Sequence, residues 1–73
     1  MRAPDISTHG MFINTAQRFP EGAVLRIGFR LARTNVLITA RGEERYCLPG
    51  VGVGVEFTGL SEKAQQAIKQ EVA

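Results

Sequence analysis

Apolar and polar residues alternate along the middle of the chain. Between residues 23 and 33, Leu25, Ile27, Phe29 and Leu31 occupy every second position, and the positions between them include Arg26 and Arg30. A period of two is that of an extended strand with one buried face and one solvated face. The pattern therefore predicts a β-strand over residues 23–33.

Shorter apolar segments separated by turn residues predict three more strands. The first covers residues 11–14 and ends before the turn at Phe19-Pro20-Glu21-Gly22. The third begins after a turn at Thr34-Asn35 and runs from residue 36 through Gly42, with a bulge, toward Tyr46. The fourth covers residues 51–57 and follows a turn at Pro49-Gly50.

The fourth predicted strand alternates valine with glycine, so the valines and Phe57 share one face and the glycines the other. This spacing matches neither the dinucleotide-binding nor the P-loop glycine pattern. Glycines on one face of a strand are typical of curvature or of another element in close approach. We therefore expect a structural role for them.

A helix is predicted at the carboxyl end. Ser61 is a suitable N-cap residue, and Glu62 places negative charge at the positive end of the helix. An apolar stripe follows at helical spacing, formed by Ala64, Ala67, Ile68 and Val72. A single helix with so small a stripe must dock on the sheet or on another chain.

These elements predict one domain over residues 1–73, mainly β with a carboxyl-terminal helix. Short connections favour antiparallel pairing, and a small β-barrel, closed or nearly closed, accommodates four such strands.

Cys47 and His9 are the single cysteine and histidine of the 73 residues, which excludes an internal disulfide and a Cys and His zinc cluster. A catalytic triad or metal centre is equally unsupported, so we expect no enzyme and no cofactor.

Charge and hydropathy narrow the possible partners. The net charge is only +2, but six arginines lie between residues 18 and 45, which suits either an anionic ligand or a solvated outer face. Nucleic-acid binding is disfavoured because Phe29 and Phe57 fall on predicted core faces rather than on a stacking surface. The sequence has no apolar run long enough to span a membrane and no signal-peptide pattern, so we expect a cytoplasmic protein.

The densest cluster of polar chemistry is Asp5-Ile6-Ser7-Thr8-His9-Gly10. These residues are typical of an Asx or Ser turn that ends in a glycine of positive φ. The same turn can direct a carboxylate and a hydroxyl toward a ligand while the glycine allows close backbone approach. Both interpretations remain open at this point.

The order of these pieces resembles the PilZ domain, a bacterial receptor module for cyclic di-GMP. Residues 5–10 are similar to the family's D/N-x-S-x-x-G signature, with His9 in place of the glycine that usually stands just before the last one, and residues 52–61 are similar to its last strand and helix start. The resemblance implies a non-catalytic signalling module that binds cyclic di-GMP and passes the change to a protein partner. By the same resemblance, Asp5 and Ser7 bind a guanine edge and Gly10 shapes the turn.

One part of the family pattern does not occur in this sequence. PilZ receptors carry an RxxxR motif and a first strand ahead of the signature, whereas only Met1-Arg2-Ala3-Pro4 precede Asp5 here. Arg2 is the one candidate phosphate contact near the turn, and we interpret the R-x-x-x-R spacings at Arg26 and Arg41 as coincidental.

Two expectations follow from the absent segment. The barrel is incomplete at its amino-terminal side, and a second copy covers the open edge in a homo-oligomer. The alternative function is a degenerate PilZ domain that binds no nucleotide and serves as a protein-interaction or assembly module.

Overall fold

Four strands and one helix follow one another in the computed structural model, which describes residues 6–73. The strands are β1 (Gly10–Asn14), β2 (Val24–Arg30), β3 (Leu37–Leu48) and β4 (Gly52–Gly59), and the helix is α1 (Glu62–Val72). All pairings are antiparallel, in the order β1-β4-β3-β2. The sheet forms a curled half-barrel, so the expected incomplete barrel is confirmed. Among residues 6–73, β1 and β2 lie at the two edges of the sheet, which does not close.

The turns predicted between the strands are observed, and each contains a residue with positive φ. Gly22 and Gly50 both have φ of 78°, a left-handed conformation that glycine adopts without a Cβ penalty. Asn35 has φ of 61°, and asparagine tolerates this region better than most residues. The turn between β3 and β4 is closed by a hydrogen bond from Val51 N to Leu48 O of 2.9 Å.

The strand predicted over residues 23–33 is shorter in the structure and ends at Arg30. Leu31 N donates to Val36 O and Asn35 N donates to Leu31 O, each at 2.9 Å, so the chain leaves the ladder at Leu31 to make the turn. The predicted face is nevertheless correct, because Leu31 is only 1% exposed.

Strand β3 carries two irregularities in its pairing with β4. One shift lies between Arg41 and Gly42, where a bulge was predicted, and the other lies between Glu44 and Tyr46. Arg45 is the extra residue of the second bulge, which bends a strand and re-aims its side chains. Glu44 and Tyr46 consequently point to opposite faces of the sheet, although two residues apart in a regular strand share a face.

The core lies on the concave face of the sheet, under α1. It is formed by Met11, Phe29, Leu31, Ile38, Ala40, Ala64 and Ile68. Ser61 is the N-cap as predicted, its Oγ accepting from Ala64 N at 3.1 Å. Of the predicted helix stripe, Ala64 and Ile68 are buried, whereas Val72, in the last turn of α1, is 53% exposed.

One charged residue belongs to this buried face. Glu44 is only 2% exposed, and its Oε1 has no hydrogen-bond partner among residues 6–73. Its backbone N donates to Ala23 O at 2.9 Å, which places it beside the turn that precedes β2. A buried carboxylate is rare unless it is paired, so the position of Glu44 was not expected from the sequence.

The loop after β2 is fastened to the end of α1 by what we call the Arg33–Glu71 clasp. The carboxylate of Glu71 accepts from Arg33 N at 2.8 Å and from Thr34 N at 3.0 Å. In return, the Arg33 guanidinium donates to the carbonyls of Gln70 and Glu71 at the carboxyl end of the helix. The clasp satisfies carbonyls that have no partner within the helix.

The clasp makes stability depend on pH. Hydrogen bonds from the Arg33 backbone, and then from Thr34, lower the pKa of Glu71. A lowered pKa in the folded state gives stabilisation that is complete above the unfolded value and is lost as pH falls through the folded value. We expect Glu71→Gln to lower the urea midpoint at pH 7 and to lose less stability than the parent between pH 5 and pH 3.

Glu21→Gln is the matched control, because Glu21 is an exposed carboxylate in the loop before β2. It should retain the pH dependence of the parent chain. If Glu71→Gln also retained that dependence, the clasp would contribute nothing to acid stability.

Candidate ligand-binding site

Residues 6–10 of the signature form a tight turn that leads into β1. Ile6 bridges Met11 in antiparallel fashion, and Ser7 N donates to Gly10 O at 2.9 Å. Inside the turn, His9 N donates to Ser7 Oγ at 3.1 Å, so the expected serine turn is present. His9 O accepts from Phe57 N at 2.7 Å, which ties the turn to β4.

The expected positive φ at Gly10 is wrong. Gly10 is the first residue of β1, opposite Glu56, and within residues 6–73 the glycines with positive φ are Gly22 and Gly50. A Cβ at Gly10 would lie 3.2 Å from Glu56 Cα and closer still to the carbonyl oxygen of Val55. Gly10 is therefore required for the close approach of the β1 and β4 backbones, whereas close approach of a ligand to Gly10 stays a prediction.

A shallow open cavity of about 580 Å³ lies on the outer, convex face of the sheet beside this turn. Its volume falls within the range of roughly 300 to 1,000 Å³ that is usual for small-molecule sites. The residues that carry its chemistry are Ser7, Gly10, Phe12, Arg45, Tyr46 and Glu56. Three strands and the signature turn thus contribute to a single surface.

Two aromatic rings lie over the glycines of β4. Phe12 and Tyr46 flank Gly54 in one cross-strand row, with ring centroids 6.2 Å apart and ring planes 28° apart. A Cβ on Gly54 would lie 2.8 Å from Tyr46 Cδ1, and one on Gly52 would lie 2.6 Å from Phe12 Cε2. The predicted close approach at these glycines is confirmed, and it gives the cavity a flat aromatic surface.

The charged part of the cavity is an ion pair. Arg45 Nε donates to Glu56 Oε1 at 2.8 Å, and Arg45 Nη2 donates to the same oxygen. Glu43 lies farther off, with its Oε1 3.7 Å from Arg45 Nη1. The hydrogen bond and charge of Glu56 raise the pKa of Arg45 above its ordinary value, so the guanidinium stays charged.

The structure brings together two of the four site residues that the sequence predicted. Ser7 and Gly10 both line the cavity, whereas Arg2 and Asp5 lie outside the described residues. Sequence reasoning missed Phe12, Arg45, Tyr46 and Glu56. The sequence offered one signal for Arg45, the R-x-x-x-R spacing from Arg41 to Arg45. That spacing indicates the cavity only when the bulge at Arg45 and the pairing of β1 with β4 are known.

Residues 6–73 contain no group of three His, Cys, Asp or Glu side chains placed to hold a metal ion. The helix α1 has 11 residues, and no described helix is long and apolar enough to cross a membrane.

The fold and the cavity define a small antiparallel half-barrel module with one helix and a ligand-sized outer surface. The family model of the PilZ domain matches residues 1–73, and the chain belongs to that family. PilZ domains are non-catalytic receptors that bind cyclic di-GMP in signalling. No curated protein and no solved structure matches the chain.

Proposed function

We propose that this chain is a signalling module that binds cyclic di-GMP in the outer cavity and passes the change to a protein partner. The observation that supports the proposal is the position of the signature turn: Ser7 and Gly10 stand at the rim of a cavity with an aromatic floor. Membership of the PilZ family supplies the ligand class. Because a module that binds this messenger acts in the cytoplasm, we propose a cytoplasmic location for the chain.

Guanine recognition divides between the turn and the rings. The Asp5 carboxylate accepts from the N1 and N2 donors of guanine, a bidentate match. Ser7 Oγ already accepts from His9 N, so its hydroxyl proton is available for an acceptor on the base. The base stacks on Tyr46, which is 52% exposed although it packs against Gly54.

The proposal predicts a loss of affinity when the turn is altered. Asp5→Ala leaves guanine donors unpaired and should cost about 1 to 3 kcal/mol of binding free energy. Isothermal titration of the purified chain with cyclic di-GMP at low salt measures this loss. Glu21→Ala removes a carboxylate away from the cavity and should titrate as the parent does. Equal affinities of Asp5→Ala and the parent would remove Asp5 from the site.

A second function, an assembly module that binds no nucleotide, is favoured by the edges of the sheet. β1 and β2 each pair with a single strand among the described residues, and edge strands pair readily with another chain. A second copy is the partner we expect. Sedimentation of the titrated sample separates the two functions: a stable dimer without heat of binding favours assembly, and heat of binding favours the receptor.

A further inference from the structure

A dianionic dinucleotide needs a cation at its binding surface, and the described cavity contains one candidate. Among the described lining residues, Arg45 carries positive charge and Glu56 carries negative charge. The bulge between Glu44 and Tyr46 places Arg45 on the outer surface beside the aromatic row. A guanidinium can hold a phosphate through two parallel N–H donors, which a lysine cannot do.

The guanidinium is already occupied. Its Nε and Nη2 both donate to Glu56 Oε1, and these adjacent donors form the fork that a phosphate oxygen pair would take. Glu56 also repels an approaching phosphate. The carboxylate therefore competes with the ligand for the same two donors.

We propose that Arg45 is the phosphate-binding residue of this cavity and that Glu56 restrains it until a phosphodiester of the ligand takes the place of the carboxylate. This inference rests on the proposed function. A phosphodiester can displace the Glu56 carboxylate from Arg45 because the ion pair is exposed and therefore weak. The Arg45 and Glu56 side chains are 53% and 50% exposed. Glu43 stays near Arg45 Nη1 and keeps the side chain at the cavity during the exchange.

The restraint predicts opposite effects for the two partners. Glu56→Gln removes the competing charge and should tighten cyclic di-GMP binding by up to about fivefold, the range that an exposed ion pair can supply. Arg45→Gln should weaken binding by at least about tenfold, because a hydrogen bond to a charged group is lost. Glu21→Gln changes the net charge as Glu56→Gln does and should leave affinity unchanged.

A double variant isolates the coupling. If Glu56 acts through Arg45, the gain from Glu56→Gln should vanish when Arg45→Gln is also present. Both side chains are exposed, so circular dichroism of each variant should match that of the parent. Titrations at two salt concentrations add a second measure, since Arg45→Gln should reduce the salt dependence of binding.

The outcomes distinguish this inference from the proposed function. If the parent binds and Arg45→Gln binds equally well, Arg45 is not a phosphate contact, while the receptor function stands. If Glu56→Gln binds no more tightly than the parent, or binds more tightly even with Arg45→Gln, the restraint is refuted. If neither the parent nor Glu56→Gln gives heat of binding, the receptor function and this inference both fail.

Discussion

Replacing Gly10 with alanine should destabilise the folded chain by about 3 kcal/mol, the upper end of the cost of overpacking. The added methyl would collide with the backbone carbonyl of Val55 and approach Glu56 Cα to 3.2 Å. A backbone cannot rotate out of the way as a side chain can, so β1 must separate from β4. Urea unfolding followed by circular dichroism measures the loss.

Gly28→Ala is the matched control for this substitution. Gly28 also lies within a strand, has no positive φ, and a Cβ there meets nothing within 4 Å. Its unfolding free energy should change by no more than about 0.5 kcal/mol. Equal urea midpoints for the two variants would mean that β1 does not approach β4 as closely as the structure shows.

Leu31→Ala is the second substitution with a large expected effect. Leu31 is 1% exposed and belongs to the core cluster beneath α1. Truncation of a buried leucine removes apolar contact and leaves a cavity, at a cost of about 2 to 5 kcal/mol. The free energy of unfolding of a small domain can be as low as about 5 kcal/mol, so this cost is a large share of it. A sharp fall in melting temperature, or an unfolded chain at 25 °C, is the expected result.

Leu37→Ala makes the same chemical change at a different depth. Leu37 begins β3 and is 59% exposed, so its truncation should cost less than about 1 kcal/mol. The comparison holds side-chain chemistry constant and varies only burial. If the two variants lost equal stability, the side chain of Leu37 would have to be covered in solution.

Much of the fold follows from local pattern. Period two marks the buried face of β2, turn residues separate the strands, and Ser61 fixes the start of α1. What local pattern does not contain is the pairing of β1 with β4, because Asn14 and Gly52 lie 38 positions apart in the sequence. That pairing leaves β1 and β2 as the edges of the described sheet, and the half-barrel is open between them.

The site was less accessible to sequence reasoning than the fold. Ser7 and Gly10 belong to a contiguous motif, whereas Tyr46 reaches the cavity only because the bulge at Arg45 reverses the alternation of faces. A regular strand through Glu44 would place Tyr46 on the core face beside it. Glu44 lies before this bulge and faces the interior through the regular alternation that also buries Ile38, Ala40 and Gly42.

The ring that forms the cavity floor also gives the protein a built-in optical reporter. The chain contains one tyrosine, four weakly emitting phenylalanines and no tryptophan, so its tyrosine emission comes from Tyr46 alone. A purine stacked on that ring would quench the emission directly, while events at the far edge of the sheet would leave it nearly unchanged. Occupancy of the cavity can therefore be followed by fluorescence in the unlabelled chain, without a probe that perturbs so small a surface.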